Sequence, residues 1–214
     1  MLQQPSPEDG DFFQREWFKR FDIGEQPPTV NFGAGDYAVS EGKGDFTDQG
    51  ISGFDREEDL WILDWWYGQT SADVWINEQQ RLAKHWKVPV WVAEGGVIRK
   101  ATEPYIKKRM QRGYYYRLEW IVSHKDKAAN ARAFQALAAQ GKVHIPNTSW
   151  GERLITQLLK FPYGKFDDAV DTCGLFGRIL DQAWGPRVYV IEQDPNEKDG
   201  YETEDDEGEE WKLN

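Results

Sequence analysis

The rhythm of apolar and polar positions changes repeatedly along the chain. "VNFGAGDYAVS" (30–40), "QGISGFD" (49–55) and "LWILDWWYG" (60–68) read as three strands, the last two joined by the charged turn "REED" (56–59). "TSADVWINEQQRLAKHW" (70–86) starts with Thr and Ser and places Val74, Ile76, Leu82, Ala83 and Trp86 at helical spacing. "VPVWVAE" (88–94) is short, apolar and β-branched, the pattern of a buried strand. A helix over 100–113 ends at Gly113, and a strand follows over 115–123. The alanine-rich run 127–141 reads as a helix stopped by Gly141. A brief strand (142–146) and two helices (149–161 and 167–184) complete the series. Hairpin strands, then alternating helix and strand, then helices predict a mixed α/β sheet with helices on both faces, a coarse order that many folds share.

The ends read differently. Residues 1–30 carry Pro5, Pro7, Pro27 and Pro28 and predict an arm, in which "DFFQREWFKRF" forms a short docking helix. Residues 31–190 form the expected body. Residues 191–214 hold 11 acidic and 2 basic side chains and predict a disordered tail, with too little apolar surface to offset the entropy of ordering. That tail accounts for −9 of the net charge of −11. Within the near-neutral remainder, residues 99–132 carry 10 Lys and Arg against Glu103, Glu119 and Asp126. This basic segment has two readings, a surface for a phosphate-bearing partner and a solvated helix face.

Some classes are excluded. The single cysteine, Cys173, rules out an internal disulfide and zinc sites built on paired CxxC motifs, and it reads as a helix packer. No run of about 18 apolar residues is present, so no membrane span is expected. The N-terminus lacks a basic start followed by an apolar stretch, so no signal peptide is expected, and a reducing cytosol fits. His85 reads as helix surface. The tryptophans at 61, 65, 66, 75, 86 and 91 read as core and sheet-face packing.

The candidate chemistry lies in carboxylates. "KFPYGKFDDAVDTCG" (160–174) crowds Asp167, Asp168 and Asp171 at the start of an otherwise apolar helix. They complement the helix dipole or they hold a divalent cation. Asp168 and Asp171, three apart, share a helix face, as do Asp167 and Asp171, four apart. Asp36 lies late in the first strand of the hairpin among glycines and alanines, where an unpaired carboxylate is costly if buried. Glu94 ends a strand and is followed by Gly95 and Gly96. Each has a plainer reading, a solvent-facing strand residue or an acid in a turn. If the three elements converge, their hard oxygen ligands suit Mg²⁺ or Mn²⁺, and two such ions clamp an in-line phosphoryl displacement.

These residues also carry a resemblance. "LLKFPYGKFDDAVDT" (158–172) is similar to the FP-G-K-DD-VD signature of the C-terminal nuclease domain of tailed-bacteriophage large terminase subunits. "GDYAVSEGKGDFT" (35–47), "LWILDWWYGQTSADVW" (60–75), "VWVAEGG" (90–96) and "KDKAANARAFQALAAQGKVHIP" (125–146) resemble further blocks of that family in the same order. "FFQREWFKRF" resembles the segment joining motor and nuclease domains. The resemblance implies a ribonuclease-H-like fold and a metal-dependent endonuclease that cuts concatemeric viral DNA during packaging in the host cytoplasm. It implies Asp36, Glu94, Asp168 and Asp171 as ligands of Mg²⁺ or Mn²⁺, two ions in all. Asp167 is a further candidate, since family members differ in which acid of this cluster is used. Asp45, Lys127, Arg132, Lys125 and Lys165 follow as DNA-binding or outer groups around the ligands. The implied partners are double-stranded DNA, the motor domain, the small subunit and the portal. No phosphate-cradling GxxxxGK[ST] loop occurs, so ATP hydrolysis is not expected, and the chain reads as an excised domain or one encoded apart from its motor. Two alternatives stay open: a DNA-clamping or portal-docking module with weak cleavage, and a nuclease of the Holliday-junction-resolvase type.

Overall fold

The computed structural model describes residues 12–38, 46–122 and 126–184, with the backbone alone for 181–184. The strands are β1 (Phe18–Phe21), β2 (Val30–Asp36), β3 (Thr47–Phe54), β4 (Leu60–Gly68), β5 (Val90–Glu94), β6 (Arg117–Ile121) and β7 (Val143–Pro146). The helices are α1 (Ala72–His85), α2 (Val97–Gln111), α3 (Lys127–Ala139), α4 (Ser149–Lys160) and α5 (Asp168–Trp184). Every element expected from residue 30 onward is present, with ends moved by a few residues.

One seven-stranded sheet runs in the order β1-β7-β4-β3-β2-β5-β6. β3 is antiparallel to both neighbours, and every other pairing is parallel. Six strands therefore point the same way, and their carboxyl ends share one edge of the molecule. β3 is buried along its whole length, as a central strand must be.

Two cores flank the sheet. Ala34, Leu60, Ile62, Val92, Val143 and Ile145 face α3, α4 and α5 in one of them. Ile51, Leu63, Trp91 and Ala93 face α1 and α2 in the other. Cys173 is fully buried, and Trp65, Trp75 and Trp91 are core residues. Helix starts follow capping chemistry: Asp126 accepts from the Ala129 amide at 3.2 Å, and Thr148 from the Gly151 amide at 3.0 Å.

The N-terminal arm differs from expectation. "FKRF" forms no docking helix; one 3-10 turn (Arg15–Trp17) leads into β1, which pairs with β7 at the sheet edge. Phe18 and Phe21 are buried while Lys19 and Arg20 are not, so four residues close the edge as a strand. Phe13 anchors the approach against Phe18 and Phe134. The acidic tail lies outside the described residues. Among those described, no helix is long and apolar enough to cross a membrane.

Candidate metal-binding site

Strand register builds the site. β2 and β5 run parallel with Gly35 beside Ala93, so the next step in each strand sets Asp36 beside Glu94. Across β2 and β3, Asp36 stands directly opposite Asp48, and across β3 and β4, Asp48 stands opposite Tyr67. Neighbours in register point to the same face. The row Glu94–Asp36–Asp48–Tyr67 therefore crosses four strands on the α5 side of the sheet. Gly33 serves this row indirectly: a Cβ there would stand 2.1 Å from the Trp91 ring, so only glycine lets β2 and β5 pair closely.

α5 brings the remaining acids over the row. The Thr172 hydroxyl donates to the Asp48 carbonyl at 3.2 Å and fixes the helix on β3. Gly177 lets α5 approach α3 closely, since a Cβ there would lie 2.5 Å from the Phe134 amide nitrogen. That approach sets Lys127, the first residue of α3, against the start of α5. Its ammonium lies 2.8 Å from Asp167 Oδ2 and 2.8 Å from Asp171 Oδ2. Asp168 is buried, whereas Asp167 and Asp171 keep partial access to solvent.

The electrostatics show convergence. Asp36 is partly exposed at the strand end, yet its carboxyl is pushed well above the usual range. Loss of water around it is the main cause, followed by the charges of Asp171, Glu94 and Asp168, with Lys127 acting in the opposite sense. Asp171 is raised to about 6, first by desolvation, with Lys127 lowering it and Asp167 and Glu94 raising it. Burial would lower the pKa of Lys127, but its bonds to Asp167 and Asp171 raise it well above the ordinary lysine value. Among the described residues, no three His, Cys, Asp or Glu side chains stand close enough together to hold a metal ion as they are. The acids near Asp36 and Asp171 raise one another's pKa by repulsion, and Lys127 acts against that repulsion. That donor set, carboxylate oxygens short of positive charge, fits Mg²⁺ or Mn²⁺.

The other predicted residues fall into three groups. Arg132 hydrogen-bonds Gln135 at 3.3 Å and lies 5.4 Å from the Phe12 ring. Lys165 lies on the loop before α5, 5.0 Å from the Phe166 ring. Asp45 and Lys125 lie outside the described residues.

Asp48 and Arg153 escaped sequence reasoning. Asp48 is fully buried, accepts from Arg153 Nη1 at 2.9 Å and Nη2 at 3.3 Å, and accepts from Trp65 Nε1 at 2.6 Å. The expected strand began at residue 49, just past Asp48, and the arginine that makes the carboxylate tolerable is 105 residues away. No local signal joins the two.

A single antiparallel strand inside an otherwise parallel sheet, with acids at the carboxyl ends of β2 and β5 and at the start of the last helix, defines the ribonuclease-H-like fold. More narrowly, it is the fold of phage large-terminase nucleases. The large terminase nuclease from thermophilic phage G20c with bound magnesium superposes with a TM-score of 0.58 at 12% identity, over 76% of this chain and 93% of that one. The large terminase from a second thermophilic bacteriophage gives 0.60 at 9% identity, over 79% of this chain and 43% of that one. The nuclease domain of the large terminase subunit gp2 of bacterial virus Sf6 gives 0.54 at 11%, over 78% and 97%. No protein-family model matches the chain, and a search of curated proteins finds no match either.

Proposed function

We propose that the chain is a Mg²⁺- or Mn²⁺-dependent DNA endonuclease that cuts concatemeric viral DNA during genome packaging, acting in the host cytoplasm with the terminase motor domain, a small subunit and the portal. One observation supports this reading: strand register sets Asp36 beside Glu94, and the charges of Glu94, Asp168 and Asp171 all act on Asp36, with Lys127 bonded to Asp171. Asp36, Glu94, Asp168 and Asp171 would hold two ions, with Asp167 beside them. Bound there, such ions activate water and offset charge at phosphorus. The protein's own part is positional. β2 and β5 fix two carboxylates on a rigid sheet, α5 fixes two more, and Lys127 holds the Asp171 carboxylate in place by a bond that survives across the neutral pH range. The same ammonium would meet a phosphate oxygen of the DNA backbone. The magnesium bound to the G20c nuclease supports the choice of ion.

The test is a supercoiled plasmid incubated with the protein and Mn²⁺, with and without EDTA. Nicking and linearisation that EDTA stops, and that Asp36→Ala and Glu94→Ala each abolish while keeping the native circular dichroism spectrum, are expected. Full activity in either variant refutes the assignment. A strong preference for four-way junctions over linear duplex would shift it to the resolvase type.

A further inference from the structure

The fourth member of the row is an aromatic residue and not an acid. Tyr67 stands two strands from Asp36, about 10 Å at ordinary strand spacing. It is 40% exposed and belongs to neither core. The Arg153 guanidinium lies 3.5 Å from its ring centroid and 5.6 Å from that of Phe46. Phe46 in turn lies 6.2 Å from Tyr67 and meets Phe166 edge-on at 5.3 Å. The Lys165 ammonium is 5.0 Å from the Phe166 ring, and Tyr163 on the same loop is 77% exposed. Tyr67, Phe46 and Phe166 thus form a chain of ring contacts outside both cores, backed by two cations, beside the carboxylates. Phe166 directly precedes Asp167, and Phe46 lies two residues before Asp48.

Tyr67 is exposed on the side away from Arg153, and Phe46 and Phe166 are half-buried beside it, so part of this aromatic surface meets water unless something covers it. Rings with cations among them offer a nucleobase a stacking surface and its phosphate a counter-charge. A duplex hides its base faces, so the occupant must be unpaired. We infer that the Tyr67–Phe46–Phe166 ledge stacks an unpaired base of the DNA strand whose phosphate lies on the acid row, which makes strand-separated DNA the preferred substrate form. This rests on the nuclease reading above and adds the substrate's form to it. Arg153 is already tied to Asp48, so it holds the ledge rigid, while Lys165 meets the backbone.

The test is binding without cleavage. Fluorescence anisotropy in EDTA would compare a fluorescein-labelled 20-mer of thymidine with a labelled 20-base-pair duplex, using the full chain. Wild type is expected to bind the single strand more tightly. Tyr67→Ala and Phe166→Ala should each weaken single-strand binding by about five-fold to a hundred-fold while leaving duplex binding within two-fold. Tyr67→Phe, which keeps the ring, should retain wild-type affinity and guards against a folding artefact. A wild type with no single-strand preference, or alanine variants that lose both ligands equally, overturns the ledge. The plasmid assay separates this from the activity itself. Cleavage without single-strand preference sinks the ledge alone, and preference without cleavage sinks the nuclease reading.

Discussion

Asp36 and Asp48 face each other across β2 and β3 on the same side of the sheet, yet their charges are treated in opposite ways. Asp48 is fully enclosed and fully answered: a guanidinium fork and an indole N–H hold it. Asp36, one strand nearer the open edge, is acted on by three carboxylates among the described residues, with Lys127 opposing them. Burial alone therefore does not mark a functional acid. What separates the two is whether the fold itself supplies the countercharge. At Asp48 it does, so that residue belongs to the scaffold. At Asp36, among the described residues, three acids stand against one lysine, and that deficit is what an incoming cation would relieve.

The largest way to break this comparison is at Asp36. Asp36→Asn should reduce plasmid cleavage below detection, yet raise the metal-free melting temperature, because it removes a charge that its neighbours oppose. Arg153→Met makes the reverse test. Left without its fork, Asp48 becomes a buried uncompensated charge, and stability should fall by about 3–5 kcal/mol in a urea melt. If both variants shift stability in the same direction, the division between scaffold acid and site acid is wrong.

A smaller effect follows from Asp171. Its folded pKa of about 6 exceeds the ordinary aspartate value near 3.8. The unfolded chain gives up this proton more readily, so the group favours the fold below the unfolded value, and that contribution is lost as pH rises through about 6. In EDTA the protein should therefore gain stability between pH 7.5 and pH 5, by about 1–3 kcal/mol from this group. Asp171→Asn should flatten that part of the profile. A profile as steep as wild type would show that other groups set it.

The same contrast explains how much was legible beforehand. Periodicity located β4 to the residue and placed Glu94 at a strand end, because alternation and β-branching are local properties. Helix spacing put Asp168 and Asp171 on one face for the same reason. β1 was hidden because "FKRF" has only two apolar positions, and it becomes a strand through an edge that β7 supplies from far along the chain. Asp48 was hidden because its meaning lies in Arg153. The row across the sheet was also hidden, since register arises from pairing and not from any single segment. Asp36 was legible as a candidate, but whether its charge was answered locally was not.

Gly177 gives the finest test, because it touches only one side of the comparison. A methyl group there would meet the Phe134 amide nitrogen at 2.5 Å and the Ala133 side chain at 2.9 Å, so Gly177→Ala must push α5 off α3. Overpacking of this kind costs about 1–3 kcal/mol. The displacement also lengthens the bonds from Lys127 to Asp167 and Asp171, since lysine and acids sit on the two separating helices. With its cation further away, Asp171 should titrate higher still, and the metal-free stability profile between pH 5 and 7.5 should become steeper than wild type. The Asp48–Arg153 pair joins β3 to α4 and does not cross the α3–α5 contact, so the cost of Arg153→Met should be unchanged in the Gly177→Ala background, within about 0.5 kcal/mol in a double-mutant cycle. Strong coupling between the two would mean that the answered and unanswered acids share one electrostatic unit.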